Sequence, residues 1–251
     1  MQVPMSKYLI NQKGTLKKLV DMLSKEFKYV SILGTNVKGK NYTVYKTGAS
    51  IADSPWNERG FVVRVYNGYN YSEYSFSQLS VDTLDLLVEK IREKANDDVN
   101  NLKAADIKIS NCPVIEEEKI IKSHFREVEI LPEEVSPEYR IKKITDIMNE
   151  AFTYSDLLID FSVNYEECHI SKIFISQNKD LEQAYIWTKA SLAAIVRRDN
   201  DTKYYYDGIS GLKGLELLDE LQTMVKDVVI NAEKLLDAKR IVPGEYDIIC
   251  S

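Results

Sequence analysis

Apolar residues recur at helical spacing in four stretches of the chain. The first stretch predicts a helix over residues 7–28, because its apolar positions fall on one face. The second follows Ser80, a good helix cap, and the third begins at Ser136-Pro137, a cap followed by proline at the first helical position. The last predicts a closing helix over residues 215–239. The apolar positions that define these faces are Leu16, Leu19, Val20, Leu23 and Phe27; Leu84, Leu87, Val88, Ile91 and Ala95; Ile141, Ile144, Met148, Ala151 and Phe152; Leu218, Leu221, Val225, Val228, Ala232 and Leu235.

Alternating and β-branched runs between these helices predict strands. The strongest hairpin signal is Asn67-Gly68, because both central residues of a type I′ turn need positive φ. A second short turn is predicted at Lys38-Gly39-Lys40. Two short strands, 107–109 and 125–130, and a short helix beginning at Glu116 are also predicted. The remaining predicted strands cover residues 29–37, 41–47, 59–66, 69–77, 156–165, 169–176, 183–190 and 192–198.

The order of elements repeats along the chain, although the residues hardly do. Each half reads as a helix, three or four strands and a second helix. We therefore expect an α+β fold of duplicated α-β(3-4)-α units, with antiparallel meander sheets backed by helices. The two units are predicted at residues 1–110 and 136–241, joined by an irregular segment, 111–135.

Composition and charge narrow the classes of function. With 44% hydrophobic residues the 251-residue chain can bury a substantial core, while its net charge of −6 argues against nonspecific binding to nucleic acid. No apolar run approaches the ~20 residues of a membrane span. The cysteines Cys112, Cys168 and Cys250 are widely spaced and odd in number, which fits a reduced, cytoplasmic setting.

The sequence contains no recognisable catalytic or metal-binding motif. The two histidines, His124 and His169, belong to no HExxH, HxH or HExxxH pattern, whereas a zinc site needs three or four ligands. Cys168-His169 beside Glu166-Glu167 is the local cluster that could hold a metal. On a strand, neighbouring side chains point to opposite faces, so Cys168 and His169 would be poorly placed to share a metal, although a turn between strands would weaken that objection. We favour a surface turn over a ligand site. We assign no catalytic, cofactor-binding or metal-ligating residue to this chain.

The acidic pairs and the glycine-rich stretch of the chain are better explained as surface features than as catalytic or anion-binding sites. The acidic pairs Glu133-Glu134, Glu166-Glu167 and Asp97-Asp98 are typical of solvated faces, because adjacency in sequence does not make two carboxyls converge on one pocket. The glycine-rich stretch 208–214 precedes a helix and could cradle an anion. It lacks the GK[ST] ending of a phosphate loop, so a plain loop before the helix is the better interpretation.

Tyrosines gather in two places. Tyr66, Tyr69, Tyr71 and Tyr74 surround one predicted hairpin, and residues 204–206 form a run. Such rings could stack on bases or hold an extended peptide. We favour cross-strand pairs on a half-exposed sheet, because no basic groove accompanies the rings.

The motifs in this order resemble the N-terminal region of the TldD/PmbA family, which reads as a short "dG" turn, a "GvgvRv" strand, a "dG" hairpin, a "gfast" strand and a helix. The resemblance covers nearly the whole chain, and order and spacing carry it, because each motif alone is loose. The chain departs from the family pattern at residues 176–179, where a turn glycine is missing. The matching residues are Tyr45-Lys46-Thr47-Gly48, Arg59-Gly60-Phe61-Val62-Val63-Arg64-Val65, Asn67-Gly68, Tyr74-Ser75-Phe76-Ser77, Leu84, Leu87, Gly208, Gly211 and Pro243-Gly244-Glu245-Tyr246-Asp247-Ile248-Ile249.

The resemblance implies a zinc-dependent metallopeptidase that acts on unfolded peptides and assembles as a homodimer or as a TldD–PmbA heterodimer. In that family an HExxxH helix and a later cysteine hold the zinc, and this helix would follow Ser251. Residues 246–250 read as the beginning of a strand, so we expect the chain to be the front part of a longer protein.

Three functions follow from these expectations. The first is a scaffold, dimerisation and substrate-chamber domain of such a peptidase, inert by itself, with zinc in the missing C-terminal domain. The alternative is a non-catalytic protein-interaction module, such as a PmbA-like partner subunit, that binds a partner by strand addition. The third, DNA binding suggested by the family's older name as a modulator of DNA gyrase, is opposed by the acidic charge.

Overall fold

One sheet runs through the whole protein, whose computed structural model describes residues 1–105, 111–239 and 241–249. Eight strands form this sheet in the described part of the chain, and four helices accompany it. The strands are β1 (Val30–Tyr45), β2 (Gly48–Asp53), β3 (Glu58–Tyr66), β4 (Tyr71–Phe76), β5 (Ile120–Phe125), β6 (Leu158–Ser176), β7 (Lys179–Arg198) and β8 (Asp201–Gly211). The helices are α1 (Lys7–Leu23), α2 (Leu84–Ala104), α3 (Pro137–Ala151) and α4 (Leu217–Leu236).

Three long strands, β1, β6 and β7, form the middle of the sheet. They lie side by side and antiparallel, and their pairing continues along most of their length. On one outer side β1 pairs first with β3 and then with β2, and β4 pairs with β3. On the other side β7 pairs with β5, which is parallel to it, and then with β8. The sheet therefore has two halves that share the same three long strands.

All four helices cover one face of the sheet, hereafter the helix face. Alternate residues of each long strand point to that face, so that Ile32 and Tyr42 of β1 both lie under helices although they belong to different halves. Helices α1 and α2 close the core that contains Ile32, and α3 and α4 close the core that contains Tyr42. The opposite face, hereafter the open face, carries no helix in the described part of the chain.

The predicted α+β class is confirmed, but the two expected sheets are one. The predicted turn at Lys38-Gly39-Lys40 is wrong, because β1 continues through it with Gly39 paired to Cys168 of β6. A Cβ on Gly39 would lie 2.5 Å from the Glu167 carbonyl oxygen, so glycine here allows close strand packing rather than a turn. The pairs of strands predicted over 156–176 and over 183–198 likewise merge into β6 and β7. The proposed unit boundaries stay a prediction.

The hairpin at Asn67-Gly68 is confirmed, with a longer loop than the predicted turn. Gly68 has φ 98°, whereas Asn67 has no positive φ. The Asn67 side-chain oxygen accepts hydrogen bonds from the backbone N–H groups of Tyr69 and Asn70 at 3.0 and 2.9 Å. The side chain thus closes a loop over residues 67–70, as asparagine does in Asx turns.

Tertiary pairing overrides several local signals. The first helix ends at Leu23 rather than near residue 28. No helix forms at Glu116, because Glu117 is drawn into contacts with Tyr29 and Lys179 at 3.1 and 3.5 Å. The predicted strand 125–130 is replaced by β5, which ends at Phe125.

The structure also differs from the predictions in the glycine-rich stretch 208–214 and in the last residues of the sequence. The expected loop at 208–214 is wrong for its first part, because β8 continues to Gly211 and pairs with β7. Residues 246–249 form no strand. The predicted strand 107–109 and Cys250 lie outside the described residues. No helix in the described part is both long and apolar enough to cross a membrane.

Candidate functional site

A polar seam separates the two apolar cores on the helix face. The residues of β1 and β6 that face the helices change there from apolar to polar, with Lys38 opposite His169 and Lys40 opposite Glu167. Helix α3 and the turn before it roof this stretch and leave a cavity of about 390 Å³. The cavity is lined by Lys38, Lys40, Tyr42, Asp53, Glu133, Arg140, Glu167, His169 and neighbouring residues.

Arg140 and Glu167 form a buried ion pair at the base of the seam. Their side chains are only 6% and 11% exposed, and Arg140 Nη2 lies 3.1 Å from a Glu167 carboxylate oxygen. The same nitrogen donates to the Pro132 carbonyl, and the guanidinium lies over the Tyr42 ring at 5.5 Å. Arg140 therefore ties α3 to the sheet through charge, hydrogen bonding and ring contact.

The seam is incompletely hydrogen-bonded. Arg140 Nε, the Tyr165 hydroxyl and one Glu167 carboxylate oxygen are buried without a hydrogen-bond partner among the described residues. Burial raises the pKa of Glu167 to about 7, although the Arg140 charge opposes this rise. Burial and the Glu167 charge likewise hold the pKa of Tyr165 well above its ordinary value. The cluster can therefore exchange a proton at Glu167 near neutral pH.

Glu133 and His169 close the mouth of the seam. His169 Nε2–H donates to the Pro4 carbonyl at 2.8 Å, and Nδ1 contacts the Glu133 carboxylate. Burial would raise the pKa of Glu133, but its hydrogen bond to His169 and the His169 charge together lower it. Two carboxyls of one cavity, Glu133 and Glu167, thus have pKa values displaced in opposite directions, an arrangement typical of sites that handle protons.

A second cavity, the tryptophan cavity, lies on the open face. It has a volume of about 640 Å³ and contains both tryptophans of the chain, Trp56 and Trp187. Its base is one line of paired residues across the sheet, Val37, Ile170 and Tyr185. The lining is completed by Pro55, Asn57, Glu58, Cys168 and Lys172. This composition fits an apolar or aromatic group rather than a highly charged one.

The loop that carries Trp56 is fixed to the sheet. The Ser54 hydroxyl donates to the carboxylate of Glu166 at 2.6 Å and accepts from the Trp56 backbone N–H at 3.1 Å. Glu166 is 1% exposed and is also paired with Lys189 at 2.7 Å. The loop therefore holds Trp56 in place even though 60% of that residue is exposed.

The cluster around Cys168 and His169 is divided by the sheet. Cys168 lies on the open face beside Ser54, where burial raises the pKa of its thiol, and His169 lies on the helix face. Both residues lie within β6, so the surface turn that we favoured is wrong. The expectation that their side chains would point to opposite faces if they lay on a strand is confirmed. In the described ranges no three His, Cys, Asp or Glu side chains converge as metal ligands would.

The other candidate residues are scattered. His124 lies on β5 and Cys112 is exposed, and neither lines the cavity of the seam. Asp98 is paired with Lys94 on the same helix. The predicted solvated face is wrong for Glu166-Glu167, since both residues are buried.

Tyrosines of the β3–β4 hairpin donate hydrogen bonds to backbone carbonyl groups of the same chain. The Tyr66 hydroxyl donates to the Cys112 carbonyl, and that of Tyr71 donates to the Pro113 carbonyl at 2.9 Å. Tyr29 and Tyr71 pack edge to face at 5.7 Å. These contacts support the structural interpretation of the cluster. Tyr204 and Tyr206, in contrast, stack at 5.8 Å on the open face and are largely exposed.

Sequence reasoning missed Arg140 and the two tryptophans. Arg140 lies four residues before the buried Ile144 on the apolar face of α3, so a charged residue at a core position was the available signal. Trp56 and Trp187 are far apart in sequence, and the signal available for them was that the chain contains only these two tryptophans.

The fold and these two cavities define an α+β domain with one face covered by helices and the other open. No family model matches the chain, and no curated protein matches it. Solved structures do share the fold. A proposed modulator of DNA gyrase from Thermotoga maritima is similar over 92% of this chain with a TM-score of 0.66 and 16% identity. A proposed modulator of DNA gyrase from Bacteroides thetaiotaomicron is similar over 90% with a TM-score of 0.63 and 14% identity.

A third solved structure with this fold is TldE from Thermococcus kodakarensis, similar over 92% of the chain with a TM-score of 0.53 and 16% identity. The chain spans about half the length of these proteins, since it covers 49%, 50% and 49% of theirs. The resemblance to the TldD/PmbA family is thus confirmed at the level of the fold.

Proposed function

We propose that this chain is the scaffold and partner-binding part of a TldD/PmbA-type protein. The observation that carries the proposal is the shared fold over at least 90% of the chain and about half of each solved structure. Dimer formation and the framing of a chamber for unfolded peptides are the roles that the family resemblance implies for such a part. We also propose a cytoplasmic setting, which the cysteine usage supports.

The open face supports a role in binding a partner. Exposed and half-buried apolar side chains continue across it in lines set by the strand register, for example the exposed Leu33 beside Phe174, and Phe174 beside Leu181. Val37, Ile170 and Tyr185 form another such line. Contiguous apolar patches of this kind mark interaction surfaces. We therefore assign the partner contact to the open face.

In this proposal, the residues that bind zinc and carry out its chemistry are not residues of this chain. The family's zinc ligands are an HExxxH helix and a cysteine, and the residues of this chain do not fit that set. Cys168 and His169 lie on opposite faces, and His169 is engaged with Glu133 and Pro4. This chain's own contribution is then to bind and position, so no catalytic step is assigned to it.

Light scattering on the full chain tests the partner surface. We expect a dimer that Phe174→Asp breaks, because a carboxylate in the middle of the open face would be buried without a partner. Leu86→Asp is the matched control, since Leu86 is an apolar residue 52% exposed on α2. A chain that stays monomeric at every concentration, or one that Leu86→Asp disrupts equally, contradicts the proposal.

An assay with an unfolded peptide and added zinc tests the assignment of catalysis. We expect no cleavage by this chain alone. Zinc-dependent cleavage by the purified chain, lost on chelation, would show that the catalytic ligands are present here and would overturn the scaffold assignment.

A second candidate is an interaction module that recruits an extended strand. The exposed edge strand β8 favours it, because Tyr204 and Tyr206 project from a strand that, among the described residues, pairs on one side only. Strand addition there would supply main-chain hydrogen bonds. Protection of β8 amides from hydrogen exchange on adding a partner subunit would support this alternative over the sheet-face contact.

A further inference from the structure

The cavity of the polar seam has hydrogen-bonding groups that the protein's own residues do not use. Arg140 lines this cavity and is only 5% exposed, and its Nε–H has no hydrogen-bond partner among the described residues. One carboxylate oxygen of Glu167 is buried and unpartnered in the same way. Burying a polar group without a partner costs free energy. Two such groups at the base of one cavity therefore indicate a position for a polar group of a ligand.

The charged residues that line the cavity favour an anion. Each acidic residue of the lining is paired with a basic residue of the same lining. These pairs are Lys40 with Asp53, Arg140 with Glu167 and His169 with Glu133. Lys38 also lines the cavity, at its exposed rim, and makes no ion pair with another described residue. The cavity thus has one basic residue more than its own acids engage, and this residue is available to a negatively charged ligand.

The beginning of α3 adds to the preference for an anion. Pro137, the first residue of this helix, lines the cavity. The N-terminus of a helix carries partial positive charge, which stabilises a nearby anion. Glu138 is in the same turn, but it does not line the cavity. The helix dipole and the Arg140 side chain therefore both favour negative charge at this place.

We propose that the cavity of the polar seam binds a small organic monocarboxylate. The carboxylate accepts a hydrogen bond from Arg140 Nε–H at the base and pairs with Lys38 at the rim. The rest of the ligand lies against the apolar part of the lining, which consists of Tyr42, Pro132, Pro137 and Ile186. A volume of about 390 Å³ is ample for an acid of the size of N-acetyl-leucine. The site is on the helix face and is therefore independent of the partner surface proposed on the open face.

The same lining disfavours phosphate and other highly charged anions. Asp53, Glu133 and Glu167 lie in the cavity, and their carboxylates repel a dianion more strongly than a monoanion. Arg140 Nη2 is already engaged by the Pro132 carbonyl and by Glu167. Its Nε–H is thus left for a single hydrogen bond rather than for the two-nitrogen contact that guanidinium groups make with phosphate.

Glu167 makes this binding depend on pH. A protonated Glu167 can donate to the second oxygen of the ligand carboxylate, whereas an ionised Glu167 repels it. Burial raises the pKa of Glu167 to about 7, so its protonated fraction falls about tenfold between pH 6 and pH 8, and the apparent affinity should fall with it. The titratable and charged groups that face Glu167 are Arg140 and Glu133 from α3 and the turn before it, Tyr165 from β6, and Lys40 and Tyr42 from β1.

Isothermal titration calorimetry on the full chain at pH 6 tests the inference. We expect N-acetyl-leucine to bind, and its uncharged amide and inorganic phosphate to bind at least about tenfold more weakly. The absence of saturable binding up to about 10 mM N-acetyl-leucine, or equal binding of the amide or of phosphate, would overturn the inference. 4-Methylpentanoate has the same branched chain without the acetamido group. Tighter binding of N-acetyl-leucine indicates the C-terminus of a peptide as the natural ligand, tighter binding of 4-methylpentanoate indicates a free acid, and either supports the carboxylate site.

Substitutions locate the site. Lys38→Gln should weaken binding of N-acetyl-leucine about threefold, whereas Lys90→Gln, at an exposed lysine on α2, is the matched control and should leave it unchanged. Arg140→Lys keeps the charge but loses Nε–H, and it should weaken binding about tenfold in protein shown by circular dichroism to be folded. Glu167→Gln should remove most of the change in affinity between pH 6 and pH 8.

The exposed position of Lys38 keeps the test decisive if Arg140→Lys does not fold. Equal affinities of the wild type, Lys38→Gln and Lys90→Gln would place the bound acid elsewhere and would overturn the inference. A wild-type affinity that does not change between pH 6 and pH 8, or a change that persists in Glu167→Gln, would contradict the contact between the ligand and Glu167.

Discussion

Replacing Glu167 with glutamine tests the electrostatics of the polar seam. Burial raises the pKa of Glu167 from 4.5 to about 7, so the folded protein holds the proton more tightly than the unfolded chain does. The stabilising contribution is therefore complete below pH 4.5, and it is lost as the pH rises to about 7. Above that pH the loss is constant. Glutamine resembles the protonated side chain and does not titrate.

The size of the effect follows from the same pKa. A rise from 4.5 to about 7 corresponds to about 3 kcal/mol, since one pKa unit is about 1.4 kcal/mol. The free energy of unfolding of the wild type, measured relative to that of Glu167→Gln, should thus fall by about 3 kcal/mol between pH 4.5 and 7. Taking this difference cancels the groups that titrate alike in both proteins.

Urea unfolding at closely spaced pH values provides the measurement. Glu133→Gln is the internal control, because the pKa of Glu133 is lowered and its contribution has the opposite sign. That contribution is present above the unfolded pKa and is lost as the pH falls through the folded one. A wild-type stability that rises relative to Glu167→Gln between pH 4.5 and 7, or that does not depend on pH, would refute the reasoning.

Three further substitutions have predictable effects on the free energy of unfolding, each measured by urea titration. Gly14→Ala should stabilise the protein by up to about 1 kcal/mol, because Gly14 is inside α1 and nothing lies within 4 Å of its added Cβ; a loss would contradict this. Gly39→Ala should destabilise by about 1–3 kcal/mol, since its Cβ would lie 2.8 Å from Cys168 Sγ, and an unchanged midpoint would disprove that packing. Ser136→Ala should cost about 1 kcal/mol, because the Ser136 hydroxyl accepts from the Tyr139 N–H at 3.2 Å. Ser136→Thr, which keeps an acceptor, should cost less.

Local sequence patterns predicted helices and turns well where the helix buries one face or where a turn depends on only a few neighbouring residues. The face of α1 formed by Leu16, Leu19 and Leu23 is buried as its spacing predicts. The hairpin at Gly68 forms because glycine adopts the positive φ that the loop needs. Strand limits were predicted less well. Gly39 resembles a turn residue in the sequence, yet pairing with Cys168 across the strand keeps the backbone extended.

The polar seam shows why a site of this kind is hard to predict. Arg140 and Glu167 are 27 positions apart, and neither belongs to a motif. Their environment arises only when α3 packs over β6, which removes water from both charges. The pKa of Glu167 is thus a property of burial in the folded protein, and no neighbour in the sequence determines it.

The sequence by itself determined the helices, the α+β class and the order of motifs shared with the TldD/PmbA fold, because periodicity and turn chemistry act over a few residues. Only the tertiary structure decided that both halves share one sheet, that Cys168 and His169 face opposite sides, and that Trp56 and Trp187 meet in one cavity. The physical reason is that strand pairing and burial join residues distant in sequence, and the free energy of these long-range contacts exceeds the local preferences.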